Sequence, residues 1–308
     1  NTTIGGTKGS VVPDLKGDGA ENVTIENYTT EGDADSLKVD FVFELIKENN
    51  TSVEIIDYIW TGLAGDRNWK TPGNWTNSKL PENSVTVIIP KCNNNNYPEI
   101  SESIEDFSGN IQLFDEATLT IKENGELQCN TINFQNEKSK ITVNGTLKLT
   151  KDSLINSTID SHFDSESSGT ISCDESVTSL IVTQEFTKLN AIKVNKGELT
   201  VYQPLKCEQI KAKTVEFKNG MEISCNSINA ESLTNGGDFT VNSELQVSSI
   251  VNQNKLTIAN TVNSISQLSF ITNDAELILN VDTSVEEVTN NQNGKITVAE
   301  GRSLTILE

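Results

Sequence analysis

The sequence predicts an all-β chain. It reads as a right-handed parallel β-helix, a β-solenoid of about nine coils, with an N-terminal Trp-rich cap and a short β segment ahead of it. Three observations lead there. Apolar–polar–apolar triplets recur through the second half, Gly-containing turns separate them, and every tryptophan (Trp60, Trp69 and Trp75) lies in one loop just before the repeats begin. The composition agrees. Aromatics make up only 6% of the 308 residues, so the core must be aliphatic, and the Thr, Ser, Asn, Val and Ile content suits short strands joined by polar turns.

Residues 1–56 read as a linker followed by a hairpin. The opening "NTTIGGTKGSVVPDLKGDGA" has the content of a linker or loose edge, and "LKVDFVFELI" and "SVEIIDYIW" flank "KENNT" as two antiparallel strands. The chain begins at Asn1 rather than Met, as expected of a processed protein or an excised fragment.

Residues 57–104 hold the aromatic loop "WTGLAGDRNWKTPGNWTN" and the lead-in to the first coil. A terminal coil would otherwise expose an apolar cross-section and unpaired strand edges. Indoles suit the covering task, because each buries a large area while its N–H reaches a partner at the rim. The competing expectation for Trp60, Trp69 and Trp75 is a stacking platform for carbohydrate.

Residues 105–308 carry the repeat. One column of triplets runs from Leu119–Ile121 through Ile141–Val143, Ile171–Cys173, Ile192–Val194, Val215–Phe217, Phe239–Val241, Leu256–Ile258 and Leu277–Leu279 to Ile296–Val298, with a mean step of about 22 residues. A second column contains Leu127, Leu147, Leu199, Ile223, Leu245 and Leu304, and a third contains Ile132, Ile155, Ile210, Ile228, Ile250 and Val288. Alternate strand residues face opposite sides, so each triplet buries its outer members. No single turn encloses a core. Stacked turns do, at about 4.8 Å spacing. The turns carry Gly125, Gly145, Gly197, Gly220, Gly237, Gly294 and Gly301, read as suppliers of positive φ. The last residues, "GRSLTILE", keep the coil register, so further coils or a covering partner are expected beyond them.

The lead-in "IWTGLAGDRNWKTPGNWTNSKLPENSVTVIIPKCNNNNYPEI", followed by "ATLTIKENGELQC" and "KITVNGTLKL", resembles a β-helix module of large bacterial surface proteins. That module opens on W-T-G…W…N-W…P…V-x-I-P…P-x-I and continues in G-A-T-L-T-I and G-x-L-x-V repeats. The match is good over roughly residues 59–150. It departs in having Asp115 where the pattern before "EATLTI" carries Gly. The resemblance implies an exported, multi-domain surface protein with a stalk-like or adhesin-like solenoid. Its location would then be extracellular or at the cell surface, and its partner a host or cell-surface glycan or protein.

Charge narrows the functions. Lys and Arg total 23 against 44 Asp and Glu, a net charge of -21, and Arg67 and Arg302 are the only arginines. No basic stripe exists to neutralise phosphates, which excludes nucleic acid as a partner. No run of about 18 apolar residues predicts membrane insertion. The five cysteines, Cys92, Cys129, Cys173, Cys207 and Cys225, are widely spaced and show neither CxxC spacing nor a His cluster, so neither a zinc site nor a disulfide framework is expected. Cys129, Cys173 and Cys225 fall at inward positions and Cys207 alternates with Leu205, so these read as small buried hydrophobes.

Catalysis is not expected. β-Helices do host polysaccharide lyases and hydrolases, and a carbohydrate-binding or carbohydrate-active β-helix is the alternative function. Yet no arginine lies within the inner coils, and the best polar cluster, "TKDSLINSTIDSHFDSESSG" over 150–169, reads as a surface excursion. It holds the only histidine. Asp160, His162 and Asp164 are at most weak oxygen and nitrogen ligands for a metal, because the fixed spacing and central Gly of a calcium loop are missing. No cofactor is expected. The functional expectation is a structural or adhesive solenoid, a stalk or ligand-presenting module without a catalytic centre.

Overall fold

In the computed structural model, residues 58–307 are described except 93–94, 105–106, 151–157 and 219; before them, only 2–3, 14–16, 24–26, 43–46 and 52–55 are. The chain divides into two units, Asn1–Ile55 and Ile56–Glu308. In the first, Thr2–Thr3, Asp14–Lys16 and Thr24–Glu26 form an antiparallel sheet, and Phe43–Ile46 pairs antiparallel with Ser52–Ile55. The hairpin's second strand therefore stops short of Trp60. Tyr58–Ile59 instead lies parallel to Thr86–Ile89 and opens the second unit.

That unit is a parallel β-solenoid of about 10 turns. Its strands form three faces. The first stacks Glu99–Ile100, Thr118–Ile121 and Lys140–Val143, passes through an Ile141–Phe163 bridge, and resumes where Phe186 pairs with Leu205. It then runs through Ile223, Phe239, Leu256 and Leu277 to Ile296. The second stacks Ser103–Ile104, Glu126–Cys129, Thr146–Leu149 and Thr170–Cys173, then Ile192, Ile210, Ile228, Leu245 and Ile265. The third starts at Tyr58–Ile59 and includes Asn110–Leu113, Ser179–Val182 and, last, Glu287–Asn290.

Alternation decides what is inside. Strand after strand shows the same half-exposed, buried, half-exposed, buried pattern, for example Thr118–Ile121, Glu126–Cys129 and Lys140–Val143. The buried members form one hydrophobic cluster from Tyr58 to Val285. All five cysteines lie in it as buried thiols.

The face assignment differs from the triplet columns. Ile141 and Leu256 share the first face, whereas Ile192 lies on the second and Val215 on the third, although all four are buried. The cause is that the three faces carry the same apolar–polar–apolar pattern, so periodicity locates inward residues without saying which face holds them. The supposed excursion hid the slip. Within it, Thr158–Ile159 pairs with Ile181 and Val182 on the third face, and buried Phe163 bridges Ile141 on the first. Residues 158–169 of it belong to a coil of the stack. Ile155, placed in the third column, lies outside the described residues.

The turn glycines also act differently from expectation. Of the seven, Gly220 and Gly301 have positive φ. Gly125 and Gly145 are needed for close approach: a Cβ on Gly145 would sit 2.2 Å from the Gly125 carbonyl oxygen, and one on Gly125 would sit 2.1 Å from that of Ile100. Where the resembling module carries Gly, Asp115 holds φ at 44°, a left-handed conformation that Asp tolerates better than most side chains.

A polar ladder runs inside the third face. Asn235 donates to Asn252 (2.9 Å), Asn252 to Asn273 (2.8 Å) and Asn273 to Asn290 (2.8 Å). Asn235, Asn252 and Asn273 are fully buried, and their amides also reach backbone carbonyls at Lys255, Glu276 and Ala275. Each amide thus satisfies its own donors while fixing the bend after the strand. At the far end the stack opens: Asn290 is exposed, Ile296, Val298 and Leu304 are half-buried, and Ile306 is 58% exposed.

Two substitutions test this packing. Gly145→Ala should lower the unfolding free energy by roughly 1–3 kcal/mol, the usual range for forcing an atom into filled space. Asn252→Ala should cost about 1–3 kcal/mol by stranding its ladder partners, whereas Asn290→Ala at the exposed end should stay within about 0.5 kcal/mol. Urea unfolding at unchanged slope measures all three.

Candidate functional site

The sequence nominated two places, and the structure supplies a third. The aromatic loop comes first. After Tyr58–Ile59, the Trp60 N–H donates to the Ile88 carbonyl (2.8 Å), extending the third face by one rung. The chain then crosses to the first face, where the Glu99 backbone N–H donates to the Arg67 carbonyl (2.7 Å) and the Trp69 backbone N–H donates to the Glu99 carbonyl (3.3 Å). The loop is thus an extra coil at the N-terminal edge, pairing two of the three exposed strand edges.

The indoles fill that coil. Trp60, Trp69 and Trp75 are 0%, 1% and 2% exposed. Trp75 packs edge-on against both Trp60 (5.1 Å, 87°) and Trp69 (4.7 Å, 75°), and Trp69 meets Phe107 of the first coil at 5.5 Å. Such pairs add about 0.5–1.5 kcal/mol each beyond area burial. Trp60 Nε1 donates to the Asn96 carbonyl and Trp75 Nε1 to the Trp69 carbonyl, both at 2.7 Å. The burial fits the capping role expected of Trp60, Trp69 and Trp75 and leaves no open indole face for the competing carbohydrate platform. A sugar needs an uncovered ring face, and these faces are spent on the core.

Three polar residues that the sequence did not single out hold the loop's shape. Buried Asn74 donates through Nδ2 to Asp66 (2.6 Å) and to the Asn68 carbonyl (3.1 Å), and its Oδ1 accepts from the Ala64 N–H (3.0 Å). Asp66 also accepts from the Thr71 hydroxyl (2.6 Å) and the Asn68 N–H (3.0 Å). The Thr71 bond, then the Asn68 N–H, hold its carboxyl below the ordinary range. Asn96 donates to the Gly62 carbonyl (2.7 Å). Gly62 has φ 63°, and a Cβ there would lie 2.6 Å from the Asn96 carbonyl oxygen. The sequence signal was available in the spacing D-x-N…N-W, with Asp66 and Asn68 followed by Asn74 just before Trp75.

Asp160, His162 and Asp164 occupy a turn of the stack. His162 Nδ1 lies 2.7 Å from Asp160 Oδ1, and its ring stacks on Phe134 at 4.3 Å and 11°. Its Nε2 is buried without a hydrogen-bond partner. Asp164 points elsewhere, accepting from the Thr142 hydroxyl (3.1 Å) and from the Glu166 N–H (3.0 Å). The three do not converge. Among the described residues no group of three His, Cys, Asp or Glu side chains is placed to hold a metal ion.

The third place is an open groove of about 590 Å³ on the outer surface of the first face. Lys122 and Glu123, Thr142, Asp164 and Glu166, and Lys188 line it from four successive coils. Both of its lysines and Glu166 are already paired. Glu166 accepts from Lys188 (3.1 Å) and from the Thr187 hydroxyl (3.0 Å), and Lys122 pairs with Glu99 at 3.2 Å. The Lys188 bond, followed by the Thr187 bond, lowers the Glu166 pKa. That is the opposite of the raised value a carboxylic acid needs to donate a proton near neutrality.

Residues 59–203, spanning the Trp-rich coil and the stack up to Gln203, match a family described as a domain of unknown function (DUF8693). No curated protein and no solved structure matches the chain. Among the described residues no helix is long and apolar enough to cross a membrane.

Because every tryptophan is in the cap, selectively excited tryptophan fluorescence reports on that coil alone. Asp66 is held below its usual value of 3.8, so its contribution is complete above that value and lost as pH falls through the lower folded one. Emission should stay blue-shifted down to about pH 4 and red-shift below it. Asp66→Ala should show red-shifted emission or a lowered cap melting temperature already at neutral pH.

Proposed function

We propose that this chain is a passive structural or adhesive module of an exported bacterial surface protein, a stiff solenoid that spaces or displays what is attached to it, with no catalytic centre. The observation that carries the reading is the coil-to-coil continuity of the second unit. Its inward residues stack in register, an internal amide ladder reinforces the later coils, and a coil of indoles covers one end. The outer surface is also linked between coils. Lys138–Glu116, Lys188–Glu166, Lys255–Asp238, Lys295–Glu276 and Arg302–Asp282 pair across neighbouring turns. Each exposed pair contributes little to stability, so the ladder and core carry the stiffness. The excess of carboxylates keeps such a surface soluble and resistant to self-association. Export and cell-surface display rest on the module that the lead-in motif resembles, whose residues fall largely within the matched 59–203 segment.

A second reading is favoured by the groove at Thr142, Asp164, Glu166 and Lys188. Its size and its mixture of donors and acceptors suit a short stretch of cell-surface glycan, bound without turnover.

Force spectroscopy on the full chain tests the first reading. Stretching between the termini should release contour length in steps of one coil, roughly 75 Å for about 22 residues, at forces well above those that extend an unstructured chain. Extension without resolvable steps contradicts a load-bearing role. Release of reducing ends from a polysaccharide panel contradicts the absence of catalysis.

A further inference from the structure

Cys207 and Cys225 stand out among the buried thiols. They are direct Cα partners on adjacent parallel strands of the first face, and both side chains point inward. Their sulfurs are 3.5 Å apart. Adjacent parallel strands place paired Cα atoms about 4.8 Å apart, inside the roughly 4.4–6.8 Å that a disulfide spans. Forming the bond requires the sulfurs to close by about 1.5 Å. The backbone has local slack for it, because the pairing of Cys225 with the following coil shifts register between Cys225 and Ser227. No other arrangement of the cysteines is comparable. Cys129 and Cys173 share the second face but are separated by Leu149, and Cys92 follows the Thr86–Ile89 strand near the N-terminal end.

We propose that Cys207 and Cys225 are an oxidation site, forming a disulfide between consecutive coils when the chain folds in the presence of a low-molecular-weight disulfide such as oxidised glutathione. The thiolate of one cysteine attacks the small disulfide, forming a mixed disulfide and releasing one glutathione thiolate. The second protein thiolate then attacks the protein sulfur of that mixed disulfide and expels the other glutathione. Two protein thiols are oxidised by two electrons, the small disulfide is reduced to two thiols, and the two protons go to the departing glutathiones.

Timing follows from packing. In the finished stack Cys207 is flanked by Leu189 and Cys225 by Val241, so the pair is covered on both sides. The hydrogen bond to Cys225, and then burial, raise the Cys207 pKa well above its ordinary value, which keeps the closed pair unreactive. The exchange therefore belongs to folding, before the coil beginning at Asp238 docks on Glu222–Asn235. The product would join two coils separated by 18 residues and block unravelling past that rung.

The test is to refold the full chain in reduced and oxidised glutathione, alkylate the remaining thiols, digest with trypsin and map peptides without reduction. Trypsin separates "CEQIK", which begins at Cys207, from the peptide that contains Cys225. The expected result is one cross-linked pair of these peptides in most chains, two hydrogens lighter than the sum of its parts, with Cys92, Cys129 and Cys173 alkylated. The Cys225→Ala chain should lose the cross-link and return Cys207 alkylated. Recovery of Cys207 and Cys225 as alkylated or glutathione-capped residues in the parent chain, or a cross-link through another cysteine, overturns the proposal.

Discussion

Everything in the second unit depends on one constraint: the inward side chain of each coil must lie over the inward side chain of the coil before it. Backbone pairing imposes this. In a parallel stack the hydrogen bonds of one turn are made to the next, so a shift of one residue would turn Leu119, Ile141 and their successors outward and leave the axis polar. The aliphatic column, the Asn235–Asn252–Asn273 ladder and the close passage of Gly145 over Gly125 all describe that same register. Each fails if any of the others slips.

The two ends of the stack answer the same problem differently. At the N-terminal edge the chain spends its tryptophans and a hydrogen bond from buried Asn74 to exposed Asp66 on an extra coil, so two of the three strand edges and the apolar cross-section are covered together. At the other end of the described residues the column thins gradually, from buried Leu277 and Leu279 to half-buried Ile296 and exposed Ile306. Local stability should follow this gradient, since an amide is protected by the packing over its own coil.

Much of the fold was legible in the sequence. The triplets located inward residues correctly, including Cys129, Cys173 and Cys225, because strand alternation is a local rule. The faces were not legible, because all three obey the same rule and nothing in Ile192 distinguishes it from Ile141. The coil containing Ile159 and Phe163 was mistaken for an excursion because its short buried strands are surrounded by Asp, Ser and His. The ladder has its own sequence signal: Asn ends "LTN", "IVN", "ITN" and "VTN", at steps of 17, 21 and 17 residues. At the candidate site the indoles were found, but their burial depends on where the chain returns at Asn96 and Glu99, which spacing alone does not specify.

Hydrogen–deuterium exchange across the full chain tests the central claim most directly. Stacking in one register predicts that the slowest amides lie in the middle coils, from about Phe186 to Ile258, with protection falling steadily through Glu287–Asn290 to Leu304–Ile306. Exchange that is equally fast in the middle and terminal coils, or fastest at Ile192, Leu233 and Leu256, would contradict it.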